Sequence, residues 1–103
     1  MTKFKTRIRQ SSKDSRIILA NDYDIRDEKL VSKTIKNIKT LHSYLCGIKL
    51  NFHLLLPLGK NDIIKITKTA HKYGLQTIAD IKLNDIGNTN LITTKTLWDF
   101  GFD

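Results

Sequence analysis

The sequence predicts an α/β fold in which parallel strands alternate with helical crossovers, in the order β-α-β-α-β-α. Two observations predict it. Three short apolar runs are present, at Arg16-Ile17-Ile18-Leu19-Ala20, Cys46-Gly47-Ile48-Lys49-Leu50 and Leu75 to Ile81. Longer stretches lie between and after them, with apolar residues at spacings of three and four. At 103 residues the chain holds one small domain. Two architectures fit this order: an open doubly wound sheet, or the first part of a (β/α)8 barrel. No G-x-G-x-x-G follows the first strand, which weakens a dinucleotide reading.

Residues 1–15 read as a basic arm, flexible or loosely attached. Lys3, Lys5, Arg7 and Arg9 charge it, and Ser11, Ser12, Asp14 and Ser15 give it no core. Residues 16–103 form the folded part. The first strand is continuously apolar, which suits burial on both faces of a parallel sheet. It runs into Asn21-Asp22-Tyr23-Asp24. A helix follows, with Asp27 as its cap and Glu28 in the first turn, where the helix dipole favours acid. Leu30, Val31, Thr34, Ile35, Ile38, Leu41 and Leu45 make its inner face, and Lys33, Lys36 and Lys39 fall mostly on the other side.

The second strand carries Lys49, a charge inside an apolar run near its C-terminal end. Phe52 to Leu58 reads as a packed loop or a single turn. Asn61 or Asp62 caps the second helix, whose inner face is Ile63, Ile64, Ile66, Thr67, Ala70 and Tyr73. Gly74 stops it. The third helix runs from about Asn88, a cap candidate, to Phe100, with Leu91, Ile92 and Leu97 or Trp98 inward. Gly101 ends it, and Phe102-Asp103 begins a fourth strand.

Composition excludes several classes. Apolar content of 40% and charged content of 27% suit a soluble globular domain. No apolar run approaches the roughly 20 residues that span a bilayer. The basic, polar start has no apolar h-region, so no secretory signal is read. Cys46 is the sole cysteine and can form no internal disulfide, which fits a reducing cytoplasm. No Cys/His spacing resembles a zinc site. The net charge of +8 raises the alternative of a basic nucleic-acid-binding module. The lysines are spread along the chain rather than gathered in one run, so they read as solvent-facing helix sides. Such a field also attracts small anionic substrates. His42 and His71 sit late in helices as structural residues. His53 and Trp98 read as packing, and Cys46 as a small core residue.

The chemistry concentrates in Ile78-Ala79-Asp80-Ile81-Lys82-Leu83-Asn84-Asp85-Ile86-Gly87-Asn88-Thr89-Asn90. Positions 80 and 82 of a strand share a face, so an acid and an amine lie side by side, with Asp85 three residues on. Three charges at the exit of an apolar strand are costly unless they pair or meet a ligand. Asp22, Lys49 and the Asp80/Lys82/Asp85 group come from three strands, all at C-terminal ends. In a barrel those ends meet on the catalytic face.

These residues also carry a resemblance. Asp80-Ile81-Lys82-Leu83-Asn84-Asp85, followed by Ile86-Gly87-Asn88-Thr89, resembles the D-x-K-x-x-D signature and I-x-x-T of the orotidine 5′-phosphate decarboxylase family. Leu19-Ala20-Asn21-Asp22 resembles its first-strand motif, and Gly47-Ile48-Lys49 its second-strand lysine. Sugar-phosphate relatives on the same barrel, hexulose-phosphate synthases and keto-gulonate-phosphate decarboxylases, share D-x-K-x-x-D and remain an alternative. Ile86 to Thr89 points to the orotidine enzyme.

The resemblance implies a (β/α)8 barrel, of which this chain supplies the first three βα units and the start of a fourth strand. It implies a homodimer when full length, with orotidine 5′-phosphate as substrate and uridine 5′-phosphate and carbon dioxide as products. It implies no cofactor and no metal. Lys82 would protonate C6 as carbon dioxide leaves, and Asp80 would sit against the substrate carboxylate. Lys49 and Asp22 would hold the charge array and touch the ribose hydroxyls. Asp85 and Thr89 would reach the ribose across the dimer interface, and Ile86 would line the apolar pocket. The family's phosphate grip comes from later strands, so the chain alone is expected to be inactive.

Overall fold

A parallel sheet in the order β1-β2-β3 is the frame that positions every charged residue of interest. The computed structural model describes residues 4–24 and 28–103. The strands are β1 (Ile18–Ala20), β2 (Gly47–Asn51) and β3 (Gln76–Asp80). The helices are α1 (Phe4–Ser11), α2 (Leu30–Leu41), α3 (Phe52–Leu55), α4 (Lys60–Lys72) and α5 (Gly87–Asp99), with a 3-10 turn at His42–Tyr44. The expected alternation is therefore present. A fourth pairing begins where the Asp103 N–H donates to the Thr77 carbonyl at 3.1 Å.

One face of the sheet builds the core. Ile48 and Leu50 of β2 are fully buried, in one cluster with Leu30 and Ile38 of α2 and Ile63, Ile66 and Ala70 of α4. Each of these leucines and isoleucines contributes about 1.5–3 kcal/mol through removal from water. The other face is open. Ile18 and Ala20 are exposed there, so β1 is not buried on both faces as its apolar run suggested. The residues were legible as strand, but the run gives no sign of which side lacks a cover.

Several local expectations change. Within residues 1–15, read from the sequence as a flexible or loosely attached arm, Phe4–Ser11 is helical. No residue of α1 is buried; it is tied by polar contacts. Arg7 Nη2 lies 2.6 Å from Asp103 Oδ1, and Arg7 Nε donates to Gln76 Oε1 at 3.1 Å. Glu28 falls before α2, whose first turn holds no acid. The cap expected at Asp27 lies outside the described residues. Gly59, not Asn61 or Asp62, is the N-cap of α4, and the Asp62 carboxylate reaches back to accept the Gly59 N–H at 3.2 Å. Gly74 adopts φ 78°, the left-handed geometry that ends α4 at little steric cost.

The third helix departs most. Its N-cap is Ile86, not Asn88. Leu91, Ile92 and Trp98 are exposed rather than inward, and Leu97 with Phe100 makes the contact with the core. A pattern of three- and four-residue spacings fixes a helix, but here no element among the described residues covers the stripe it defines.

Candidate active site

The strand register sets the site. Ala20, Lys49 and Ile78 form one row across the sheet, and Asn51 and Asp80 pair in the row beyond β2 and β3. Alternate strand residues share a face, so Lys49, Asn51 and Asp80 project from the open face. Asn51 and Asp80 end their strands, whereas Lys49, expected at a strand end, is the central residue of β2.

Asp80 is the hub. Its Oδ2 accepts from Lys49 Nζ at 3.1 Å, and its Oδ1 accepts from Lys82 Nζ at 2.9 Å. Each carboxylate oxygen thus holds one ammonium group. The hydrogen bond from Lys82, then that from Lys49, holds the Asp80 carboxyl below the usual carboxylate range, against a smaller opposing effect of desolvation. Asp80 and Lys49 side chains are 23% and 30% exposed, whereas Lys82 is 80% exposed. The outer lysine is therefore the one open to an incoming molecule.

Lys82 does not share a strand with Asp80, as the two-residue spacing suggested. β3 ends at Asp80, and Lys82 follows in the connecting loop with φ 49°. A lysine gains nothing intrinsic from this left-handed conformation, which costs an L-residue of this type about 1–2 kcal/mol. The turn aims the ammonium group back onto Asp80.

Asp85 stands apart from this pair of lysines. Its Oδ1 accepts the N–H of Ile86 at 2.7 Å. Asn90 clamps the same loop, accepting the Asp85 N–H at 3.1 Å and donating to the Asp85 carbonyl at 2.7 Å. Asp85, Ile86 and Thr89 are all exposed, on the loop and first turn leading into α5. Asp22 is also exposed, two residues beyond Ala20, and makes no ion pair with Lys49 among the described residues. The structure thus brings Lys49, Asp80 and Lys82 together and leaves Asp22, Asp85, Ile86 and Thr89 exposed, outside this ion-paired group.

Two asparagines escaped the sequence reading. Asn21 is buried at the end of β1, where its Nδ2 donates to Thr34 Oγ1 at 2.9 Å and its Oδ1 accepts from Asn37 at 3.0 Å. It fastens the strand end that presents Asp22 to helix α2. Asn51 lies two residues past Lys49, and that spacing was the available signal. Among the described residues, no three His, Cys, Asp or Glu side chains gather where they could share a metal ion. No described helix is long and apolar enough to cross a membrane.

The arrangement can hold an anion against two ammonium groups and deliver a proton from the exposed one. Comparison with known proteins bears on which anion. Residues 15–101 match the family model described as Orotidine 5′-phosphate decarboxylase / HUMPS family. An orotidine 5′-phosphate decarboxylase of Pyrococcus furiosus is 36% identical over 88 residues, which are 84% of this chain and 37% of that protein. One from Pyrococcus abyssi is 37% identical, over 84% of this chain and 38% of the relative. One from Thermococcus kodakarensis is 32% identical, over 87% and 38%. The chain spans a little over a third of the length of these relatives. No solved structure gives a significant match.

Proposed function

Because the chain belongs to the Orotidine 5′-phosphate decarboxylase / HUMPS family, we propose that it is the N-terminal part of an orotidine 5′-phosphate decarboxylase. Such an enzyme is a carboxy-lyase of pyrimidine biosynthesis, converting orotidine 5′-phosphate to uridine 5′-phosphate and carbon dioxide. The observation that carries the reading is Asp80, the last residue of β3, held between Lys49 of β2 and Lys82 of the loop that follows β3. The following Ile86-Gly87-Asn88-Thr89 favours this enzyme over its sugar-phosphate relatives.

In this reading Lys82 is the acid. The bond from C6 to the carboxylate breaks, its electron pair stays on C6, and the Lys82 ammonium supplies the proton that C6 takes up. The same cation stabilises the charge developing there. Asp80 sits against the substrate carboxylate and orients both lysines. Lys49 steadies Asp80, and Lys49 with Asp22 touches ribose hydroxyls. Asp85 and Thr89 reach the ribose of a partner subunit's site, and Ile86 lines its apolar pocket; their exposure in this chain leaves them available for that role. The complete protein would be a (β/α)8 barrel, dimeric and cytoplasmic, working without a cofactor. Residues 16–103 would be its first three βα units and the start of its fourth strand.

The test joins this chain to the remaining segment of the Pyrococcus furiosus relative and follows the pyrimidine absorbance with orotidine 5′-phosphate. Decarboxylation that depends on Asp80 and Lys82 is expected. A folded fusion that converts no orotidine 5′-phosphate overturns the proposal.

A further inference from the structure

Resting on that reading, we infer that Asn51 is a substrate-binding residue, whose side-chain oxygen accepts a hydrogen bond from a neutral donor of the nucleotide. Asn51 Oδ1 is buried and has no hydrogen-bond partner in the protein. It is the one described side-chain atom in that condition. A buried carbonyl oxygen left unpaired keeps the full cost of its desolvation, so its place in the fold calls for a reason.

Capping does not supply the reason. Asn51 occupies the N-cap position of α3 with extended geometry, φ −75° and ψ 160°, where an asparagine side chain ordinarily accepts a helix N–H. Here it makes no such bond. Pairing within the sheet does not supply it either. Asn51 is the register partner of Asp80 and lies on the face of Lys49, yet the Asp80 carboxylate is itself only an acceptor and both lysines donate to it. Its oxygen therefore stands beside the charge array, committed to nothing in the chain.

An amide oxygen is only an acceptor, so its ligand must offer an O–H or N–H. The phosphate and carboxylate of the nucleotide are themselves acceptors. The sugar hydroxyls and the ring N–H remain. A site built to bond such a group discriminates sharply against analogues that lack it.

The experiment uses the fusion described above and measures affinity for uridine 5′-phosphate and for ribose 5-phosphate. Asn51→Leu removes the polar group at similar volume. It should bind uridine 5′-phosphate about tenfold more weakly, about 1.4 kcal/mol, while its urea midpoint is unchanged or raised. The midpoint matters because an orphan with no ligand would stabilise on removal without touching affinity. A loss shared by ribose 5-phosphate assigns a sugar hydroxyl, and a loss confined to uridine 5′-phosphate assigns the ring N–H; either supports the inference. Unchanged affinity in a folded Asn51→Leu fusion overturns it. If Asn51→Leu fails to fold, Asn51→Ala takes its place. Failure of both to fold gives Asn51 a structural role and overturns the inference as well. A parent fusion that binds no nucleotide would instead sink the decarboxylase reading itself.

Discussion

Lys82 reaches Asp80 from a left-handed backbone, with φ 49° and an Nζ to Oδ1 distance of 2.9 Å. The conformation is unfavourable for any residue with a Cβ, and one exposed ion pair returns little in water. The strain therefore sits where the charge array is assembled, which is where functional sites commonly carry it. Lys82→Gly and Lys82→Ala both lose the ion pair, but only glycine relieves the backbone. We expect Lys82→Gly to be more stable than Lys82→Ala by about 1 kcal/mol in urea denaturation. Equal midpoints would show that the turn relaxes without cost.

The two lysines should also be visible in the titration of Asp80. Its carboxyl lies below the ordinary range because Lys82, and then Lys49, hydrogen-bond to its charged form. A folded value below the unfolded value of about 3.9 means that the associated stability is complete above that pH. It is lost as pH falls through the folded value. Lys82→Ala and Lys49→Ala should each raise the Asp80 titration midpoint, Lys82→Ala more, as followed by carboxyl carbon NMR. A midpoint indifferent to both substitutions would contradict the geometry.

At the start of β3 a different carboxylate does structural work. Asp103, 3% exposed at its side chain, accepts from Arg7 at 2.6 Å, from His71 Nε2 at 2.7 Å and from the Thr77 N–H at 2.9 Å. Burial pushes its carboxyl up, but the hydrogen bonds from His71 and Thr77 outweigh burial and leave it lowered. Arg7→Ala should cost about 1–2 kcal/mol, since a partner of a buried carboxylate is lost while the others remain. It should also release α1, which no buried residue holds. Faster amide exchange confined to residues 4–11 and 101–103 would be the signature, and an unchanged urea midpoint would argue against the clasp.

How much of this was legible in the sequence depends on the kind of signal. The strands and α2 and α4 follow from apolar runs and three- and four-residue spacing; the observed strand bounds differ from the expected ones by a residue or two, and the end of α2 by more. The lysine–aspartate cluster was legible because charges inside or beside an apolar strand carry a cost that calls for a partner. What stayed hidden depends on tertiary context. Leu91, Ile92 and Trp98 have a helical pattern that says nothing about whether a neighbour covers it. Helix α1 carries no apolar stripe strong enough to announce it, because Arg7 holds it through a residue 96 positions away. Lys82 looked like a strand residue since no sequence rule marks a left-handed lysine.

The open face leads to a prediction about the chain by itself. Ile18 and Ala20 remain exposed on the side that carries Lys49 and Asp80, and the chain matches little over a third of its relatives' length. A phosphate held elsewhere in a barrel would supply remote binding energy that supports the chemical step. The 103-residue chain should therefore show no measurable conversion of orotidine 5′-phosphate. Turnover by the purified chain, abolished by Lys82→Ala, would overturn this expectation.

The sharpest test of the proposed chemistry is Lys82→Ala in the full barrel context. It removes the proton donor and the more exposed of the two cations on Asp80. Loss of a general acid alone commonly costs 10²–10⁴-fold. Here electrostatic stabilisation of the developing carbanion goes with it, so the fall in turnover should be larger, by several orders of magnitude. Asp22 and Thr89, proposed for hydroxyl contacts, are untouched by the change. Affinity for uridine 5′-phosphate should therefore weaken far less than turnover, because the product carries neither the leaving carboxylate nor the transient charge. Measuring decarboxylation and nucleotide affinity side by side separates the two effects. A fall in turnover of less than tenfold would mean that Lys82 is not the acid, and the proton would have to come from another group facing Asp80, of which Lys49 is the nearest candidate in this chain.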